Sequence, residues 1–294
     1  MRRRIICFRA EWSNKPLENC LFPLILIVVP TLGTRRDWLR ASIVSILSQE
    51  GVEVRVRVVA PSEASLGGLC TELGAELVEC DRKGLSVAIN EGWKDTGEAE
   101  FLTWLGDDDL LAPGSLAATS AALAARPNAP MVYGAVRYID AAGNSMWLQR
   151  PGRFAAWYLP YGKNLVPQQG SLLRKSFVMA AGGIDEACKS AMDQDLFSRL
   201  LECGPSAYVR QEVAAFRIHE SNITVNKGNE GADEGERIRA RHAGRFYPLI
   251  RRVTVMSDRL IYALIRRWPY KAPPVVNGKP YTIAYQRVED DAVG

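Results

Sequence analysis

The sequence predicts an α/β fold, a mainly parallel sheet flanked by helices. Three observations predict it. Leu24–Val29 (LILIVV) is an unbroken apolar run ended by Pro30, which suits a central strand buried on both faces. Val52–Val59 (VEVRVRVV) alternates strictly and suits a strand with one wetter face. Helical patterns separate such runs, and strands alternating with helices at this spacing argue for βαβ units.

In chain order, residues 1–22 carry no clear periodicity and read as a loosely structured lead-in. After the first strand, Leu39, Ile43, Ile46 and Leu47 give Arg35–Gln49 helical spacing. Leu66–Leu73 reads as a short helix and Ala75–Glu79 as a third strand. Gly84 opens a helix over Leu85–Trp93, and Phe101–Leu105 is the next strand. Past Pro113 an Ala-rich helix runs to Ala125, and there the texture changes. Met131–Ile139 and Ser145–Gln149 flank a turn at Asp140–Asn144 and predict an antiparallel hairpin. Val166–Arg174 predicts a strand and Lys175–Ala181 a helix, broken at Gly182–Gly183. Asp193–Glu202 predicts a helix and Ala207–Ile218 an extended segment. The implied plan is the lead-in, a domain over 23–225 whose halves meet near residue 112, and a C-terminal extension over 226–294.

With 294 residues, 47% apolar and 24% charged, the chain has the make-up of a globular protein and room for one large domain with an appendage. Its six cysteines, Cys7, Cys20, Cys70, Cys80, Cys188 and Cys203, show no metal-ligand spacing and read as reduced thiols in a cytosolic protein. His219 and His242 are the only histidines, which excludes a histidine-rich metal site. Glu11, Asn14, Lys15 and Glu18 interrupt any signal-peptide core, and the apolar run Leu21–Val29 is too short to span a bilayer. The net charge of +4 is uneven: residues 241–271 hold seven Arg and one Lys against one Asp, +7 in all, so the remainder carries −3.

Phe101–Leu111 (FLTWLGDDDLL) sets three consecutive carboxylates, Asp107, Asp108 and Asp109, at the end of an apolar run. Adjacent anions repel one another and gain nothing from packing beside a buried strand. At the carboxyl end of a strand, where open α/β sheets bind ligands, they suit a hard divalent cation that holds phosphate oxygens. A solvated acidic turn with a helix cap is the alternative.

Four pieces of the chain, in this order, resemble a family 2 glycosyltransferase with the GT-A (Rossmann-like) fold. They are LILIVVPT (24–31), GLSVAINEGW with WLGDDDLL (84–111), PQQGSLLRKSF…AGGIDE (167–186), and MDQDLFSRL with FRIHESNIT (192–200, 216–224). The resemblance covers roughly residues 23–225 and implies a nucleotide-binding half to about 112 and an acceptor half after it. In the family a DxD-type motif holds a divalent ion, Mn²⁺ or Mg²⁺, against the donor diphosphate. That implies Asp107 and Asp109 as metal ligands and Asp108 as a contact to ribose or metal. A register with Gly106 at the usual first acidic place leaves Asp108 and Asp109 as the functional pair. His219, at the end of a strand, stands where family members often carry a histidine near metal or diphosphate.

The resemblance also implies donor contacts from Asn90 and from Pro30 and Thr31 at the end of the first strand, with a turn that merely stops the strand as the alternative for the last two. The family's base-reading Asp after the second strand is missing, since Ala60 and Pro61 stand there, and the contact is either absent or passed to Glu63. Arg82 and Lys83 precede Gly84 and can pair with a diphosphate or simply face solvent. The general base of an inverting transfer corresponds to Asp193 in Met192-Asp193-Gln194-Asp195. Asp195 is assigned to the acceptor side, or alternatively to the helix start as a favourable charge. Gln168, Gln169 and Trp104 complete the expected acceptor and sugar contacts, with a core position as the alternative for Trp104.

Phe246, Leu249, Ile250, Val253, Met256, Leu260, Leu264 and Trp268 recur at three- and four-residue steps, with Pro248 suited to a first turn and Pro269 to a stop. Arg251, Arg252, Arg259, Arg266 and Arg267 flank that stripe. A basic amphipathic helix over 245–268 can lie in an anionic membrane interface, or pack on the domain or a second subunit. No recognised nucleic-acid-binding module accompanies the basic run.

The implied protein is an inverting, metal-dependent glycosyltransferase. It moves a sugar from a nucleotide-sugar donor, a UDP-sugar, to a glycan or lipid-linked saccharide of a bacterial surface polysaccharide. It is expected in the cytoplasm, with peripheral contact to the inner face of the membrane. Two rivals stand beside it. A nucleotide-sugar-binding protein without transfer is motivated by Gly106, Ala60, Val87 and Met192, each at a place where the family is usually acidic. A nucleotidyltransferase would carry a Gly-rich basic loop after the first strand, whereas residues 30–36 contain one glycine.

Overall fold

A computed structural model describes residues 22–219, 228–244, 247–254, 275–276 and 279–280. Among the described residues, nine strands form one mixed sheet. In chain order they are β1 (Leu24–Pro30), β2 (Glu53–Ala60), β3 (Glu76–Glu79), β4 (Phe101–Trp104), β5 (Leu110–Leu111), β6 (Met131–Ile139), β7 (Ser145–Gln149), β8 (Ser171–Arg174) and β9 (Ala207–Arg217). The spatial order is β3-β2-β1-β4-β8-β6-β9-β5, with β7 paired to β6. The helices are α1 (Arg36–Leu47), α2 (Gly67–Leu73), α3 (Leu85–Gly92), α4 (Ser115–Ala124), α5 (Phe154–Tyr158), α6 (Lys175–Ala180), α7 (Met192–Leu201) and α8 (Gly228–Ala243).

The expected α/β fold is present, and its parallel character is concentrated in the first half. β3, β2, β1 and β4 pair in parallel. β8 runs antiparallel to both β4 and β6. Two successive reversals restore direction, so β6, and β9 parallel to it, point the same way as β1 and β4. The carboxyl ends of β1, β4, β6 and β9 therefore lie along one edge, although their residues are far apart in sequence.

Alternation along β1 splits its side chains between the two sheet faces. Leu26 and Val28 pack with Ile89, Trp104, Leu196 and Phe197, beneath α3 and α7. Ile25, Ile27 and Val29 pack with Leu39, Ile43, Leu116 and Leu123, beneath α1 and α4. Helices thus cover both faces, which is why β1 reads as a continuous apolar run rather than an alternating one.

Two local features differ from expectation. The strand expected from Val166 begins at Ser171, because Gln168–Gly170 form a 3₁₀ turn after Pro167. The Ser171 hydroxyl donates to the Pro167 carbonyl at 2.8 Å and closes that turn. The second feature is β5, a two-residue strand directly after the aspartates, antiparallel to β9 through Leu110–Ala215 and Leu111–Ala214. The stripe expected to be helical over 245–268 is helical over 247–254, and its other residues lie outside the described ones, as does the lead-in before residue 22. Among the described residues, no helix is long and apolar enough to cross a membrane.

Candidate active site

The three aspartates sit in a tight turn between β4 and β5, closed by the Asp109 N–H donating to the Gly106 carbonyl at 3.2 Å. All three are largely buried. A Cβ on Gly106 would lie 2.7 Å from Asp108 Oδ1 and 2.9 Å from Asp109 Oδ2. The missing acidic side chain at 106 is thus a steric condition for the other carboxylates to fold back over the turn.

Each carboxylate has a distinct environment. Asp107, 5% exposed, accepts from the Thr31 hydroxyl at 2.5 Å and from Arg35 at 2.5 Å. Burial pushes its pKa up, opposed by those two donors. Asp108 Oδ2 lies 2.7 Å from His219 Nε2 and 3.4 Å from Arg35. Asp109, 2% exposed, turns inward, and its Oδ1 accepts the Arg217 backbone N–H at 3.0 Å. Burial and the neighbouring Asp108 hold its carboxyl well above the usual range, with Gln169 among the opposing donors. Asp107 is therefore tied to the loop after β1, while Asp109 ties the aspartate turn to the end of β9.

That tie brings in residues from across the chain. β5 pairs with the last part of β9, so His219, two residues past its end, reaches the turn. Arg217 Nε donates to the Asp108 carbonyl at 3.0 Å, and its guanidinium stacks 5.0 Å from the Trp38 ring. His219 is 4.9 Å from the same ring. An open cavity of about 560 Å³, lined by Thr34, Arg35, Arg36, Trp38, Ala141 and His219, adjoins this cluster. Two carboxylates, an imidazole and a set of cationic donors suit a hard divalent ion and phosphate oxygens. Arg35, Trp38 and Arg217 carried no sequence signal for this site, because their roles depend on the β5–β9 pairing.

The second carboxylate site is at the start of α7. Asp193 is half-buried, and its Oδ2 accepts from the Asn164 amide at 2.8 Å. Its Oδ1 accepts the Gln194 N–H at 2.8 Å. Burial raises its pKa to about 6, against those donors. Met192 is buried with its sulfur 3.1 Å from the Ser86 hydroxyl, so a carboxylate at 192 would have to be desolvated there. The segment from 159 to 169 runs between the two sites. Gln194 donates to the Leu159 and Gly162 carbonyls, Asn164 to Asp193, and Gln168 to the Trp104 carbonyl at 2.6 Å. Gln169 closes the path by bonding Asp109.

Several expected contacts are placed elsewhere. Trp104, 3% exposed, is a core residue packed on Trp93 and Phe197, so it is corrected from the acceptor site to the interior. Asp195 is fully buried and paired with Arg199 and Arg241, both at 2.8 Å, which leaves it no face for an acceptor. Asn90 donates to the Ile184 carbonyl and accepts the Ile184 N–H, so its amide fixes the 183–186 turn rather than a donor. Arg82 pairs with Glu186 of that turn at 2.6 Å. Lys83 and Glu63 are exposed, Glu63 on a short 3₁₀ turn that abuts Gly33 of the loop after β1. Pro30 ends β1 and Thr31 reaches Asp107.

Asn90→Ala is expected to destabilise the protein by about 1–3 kcal/mol, because two paired backbone groups of Ile184 lose their partners. Denaturant unfolding reads this directly, and an unchanged midpoint would return Asn90 to the list of donor contacts.

The family model described as glycosyl transferase family 2 matches residues 26–182, more than half of the chain. S. aureus TarS 1-349 in complex with UDP is similar at TM-score 0.53 and 14% identity, covering 88% of this chain and 95% of that one. TarS 1-349 in complex with UDP-GlcNAc is similar at TM-score 0.52 and 14% identity, covering 76% and 72%. Mannosyltransferase PcManGT from Pyrobaculum calidifontis, in complex with GDP-Man and Mn²⁺, is similar at TM-score 0.51 and 16% identity, covering 85% and 66%. Against a longer TarS chain, at TM-score 0.50 and 14% identity, 76% of this chain spans 43% of that one. At these identities the likeness is one of fold. A comparison with curated protein sequences gives no significant match.

Proposed function

This chain belongs to glycosyl transferase family 2, and from that premise we propose an inverting, metal-dependent transfer of a sugar from a nucleotide-sugar donor to a glycan or lipid-linked saccharide. The observation that supports it most is the gathering of Asp107, Asp108 and His219 around Arg35 at one strand edge, from distant parts of the chain. A nucleotide-sugar donor, a UDP-sugar in our reading, is supported by the UDP and UDP-GlcNAc carried by the similar TarS structures. PcManGT, with GDP-Man and Mn²⁺, supports the diphosphate-plus-metal chemistry while leaving the base open to a guanine.

Asp107, Asp108 and His219 would hold the divalent ion, Mn²⁺ or Mg²⁺, with Asp108 in place of the expected Asp109, whose carboxylate is turned inward onto the Arg217 N–H. That ion would supply charge neutralisation for the donor diphosphate as the glycosidic bond breaks. Everything else is done by the chain. The loop after β1, with Thr31 and Arg35, binds phosphate oxygens. Asp193 takes the proton of the acceptor hydroxyl as its oxygen bonds to the anomeric carbon, and the bond from that carbon to the diphosphate breaks. A carboxylate with pKa about 6 is ionised at neutral pH yet more basic than a solvated one, which is the compromise a general base needs. Asn164 and the Gln194 N–H fix its orientation. For a lipid-linked acceptor, the basic stripe over 245–268 is proposed to rest on the inner face of the cytoplasmic membrane, supported by the +7 carried by 241–271.

Proton NMR of the sugar released or transferred from an α-linked donor tests the reading. The expected first product has the β configuration and appears only with metal. Retention of configuration, or equal turnover in chelator, would overturn the proposed mechanism.

A further inference from the structure

Arg35 occupies the point on which the carboxylate and imidazole groups converge. One guanidinium nitrogen lies 2.5 Å from Asp107 Oδ1. The other lies 3.4 Å from Asp108 Oδ2 and 3.2 Å from His219 Nε2. The same Nε2 is 2.7 Å from Asp108 Oδ2. One imidazole nitrogen cannot satisfy both neighbours. Carrying a proton it donates to Asp108 and turns an N–H toward a guanidinium that only donates; bare, it accepts from Arg35 and sets its lone pair against a carboxylate. A small cation between the two atoms would use both lone pairs. The guanidinium is also incompletely satisfied, since its buried Nε has no hydrogen-bond partner. Its side chain remains 32% exposed and borders the open cavity of about 560 Å³ beside Trp38.

We propose that Arg35 is a resident counter-ion of the Asp107–Asp108–His219 cluster, displaced when a divalent cation enters and turned toward the donor diphosphate in the adjoining cavity. This rests on the function proposed above and adds to it a competition between a side chain and a metal for one position. The exchange is chemically consistent. Without metal, the guanidinium offsets the two carboxylates at a site where unpaired anions are costly. With metal, that offset is no longer needed, and a planar guanidinium is well matched to phosphate oxygens. Arg35 is thus a positioning residue with opposite effects on two ligands. It weakens binding of the bare metal and strengthens binding of the nucleotide.

The test measures both signs in the full chain. Mn²⁺ binding without nucleotide is followed by electron paramagnetic resonance, and UDP or GDP binding at saturating Mn²⁺ by calorimetry. Arg35→Gln should bind bare Mn²⁺ about tenfold tighter than the wild type, while its nucleoside diphosphate affinity falls about tenfold, each a coupling of ordinary size. Adding Asp108→Asn to Arg35→Gln should remove the gained Mn²⁺ affinity, which assigns it to this cluster. Unchanged or weaker Mn²⁺ binding by Arg35→Gln would overturn the competition, even where wild-type nucleotide binding is metal-dependent and the donor site itself stands. Metal-independent nucleotide binding by the wild type instead removes the proposed function, and the competition with it. Arg35→Lys, which keeps the charge on a shorter reach, should restore the wild-type Mn²⁺ affinity if displacement of a cation is the cause.

Discussion

Asp193→Asn is expected to lower kcat for sugar transfer by about 10²–10⁴-fold, the usual contribution of a positioned general base, and to leave donor affinity unchanged. The asparagine oxygen can accept from Asn164 or from the Gln194 N–H but not from both, while its near-identical volume preserves the packing at the start of α7. What is lost is the ability to take a proton. The pH profile separates this from a packing defect. With the Asp193 pKa at about 6, wild-type kcat/KM should rise with pH through that value and then level off. The residual rate of the variant should be flat across the same range. Stability should move in the opposite direction. Because the folded pKa lies above the unfolded carboxylate value of about 3.9, the native state binds more protons than the unfolded state between pH 4 and 6. The stability contributed by Asp193 is therefore present at low pH and lost as pH rises through that window. Above pH 6 the variant escapes the cost of burying the charge, which offsets the one hydrogen bond it loses. A variant that is both inactive and strongly destabilised at pH 7.5 would make Asp193 a structural residue.

The sheet was legible because its signals are local. The unbroken run of β1, the alternation of β2 and the hairpin of β6 and β7 each state their burial within a few residues. The aspartate turn was legible for the same reason, since three adjacent carboxylates after a buried strand are costly without a purpose. Side-chain roles were less legible where a residue can serve either a ligand or the backbone. Asn90 is an example: its amide fits a nucleotide as well as it fits Ile184, and only the turn at Gly183, where a Cβ would meet Asn90 Oδ1 at 2.9 Å, decides between them. Asp195 reads as a helix-start acid until Arg241 of α8 arrives from 46 residues away. Arg35 was the least legible. Its meaning requires Asp107, Asp108 and His219 to be neighbours, and that depends on a two-residue strand too short to show any periodicity.

Asp108→Ala is expected to abolish metal-dependent nucleotide binding without unfolding the protein. In the wild type, one nucleoside diphosphate from a panel should raise Tm only when Mn²⁺ or Mg²⁺ is present. At ligand a hundredfold above Kd, mass action stabilises the native state by about 2.7 kcal/mol, or about 4–5 °C for a chain of this size. Removing Asp108 takes away the carboxylate that faces both His219 and Arg35, so this shift should vanish. The unliganded Tm should not fall, because the substitution also relieves repulsion from Asp107 and Asp109 on either side. Asp109→Ala makes the contrast. Its carboxylate accepts the buried Arg217 N–H, so this variant should lose about 1–3 kcal/mol before any ligand is added. The two neighbours thus separate binding from anchoring: one variant keeps its baseline and loses the ligand shift, the other loses its baseline. If no diphosphate shifts the wild type under either metal, the three carboxylates form an ordinary acidic turn. The donor site proposed at this strand edge then has no basis.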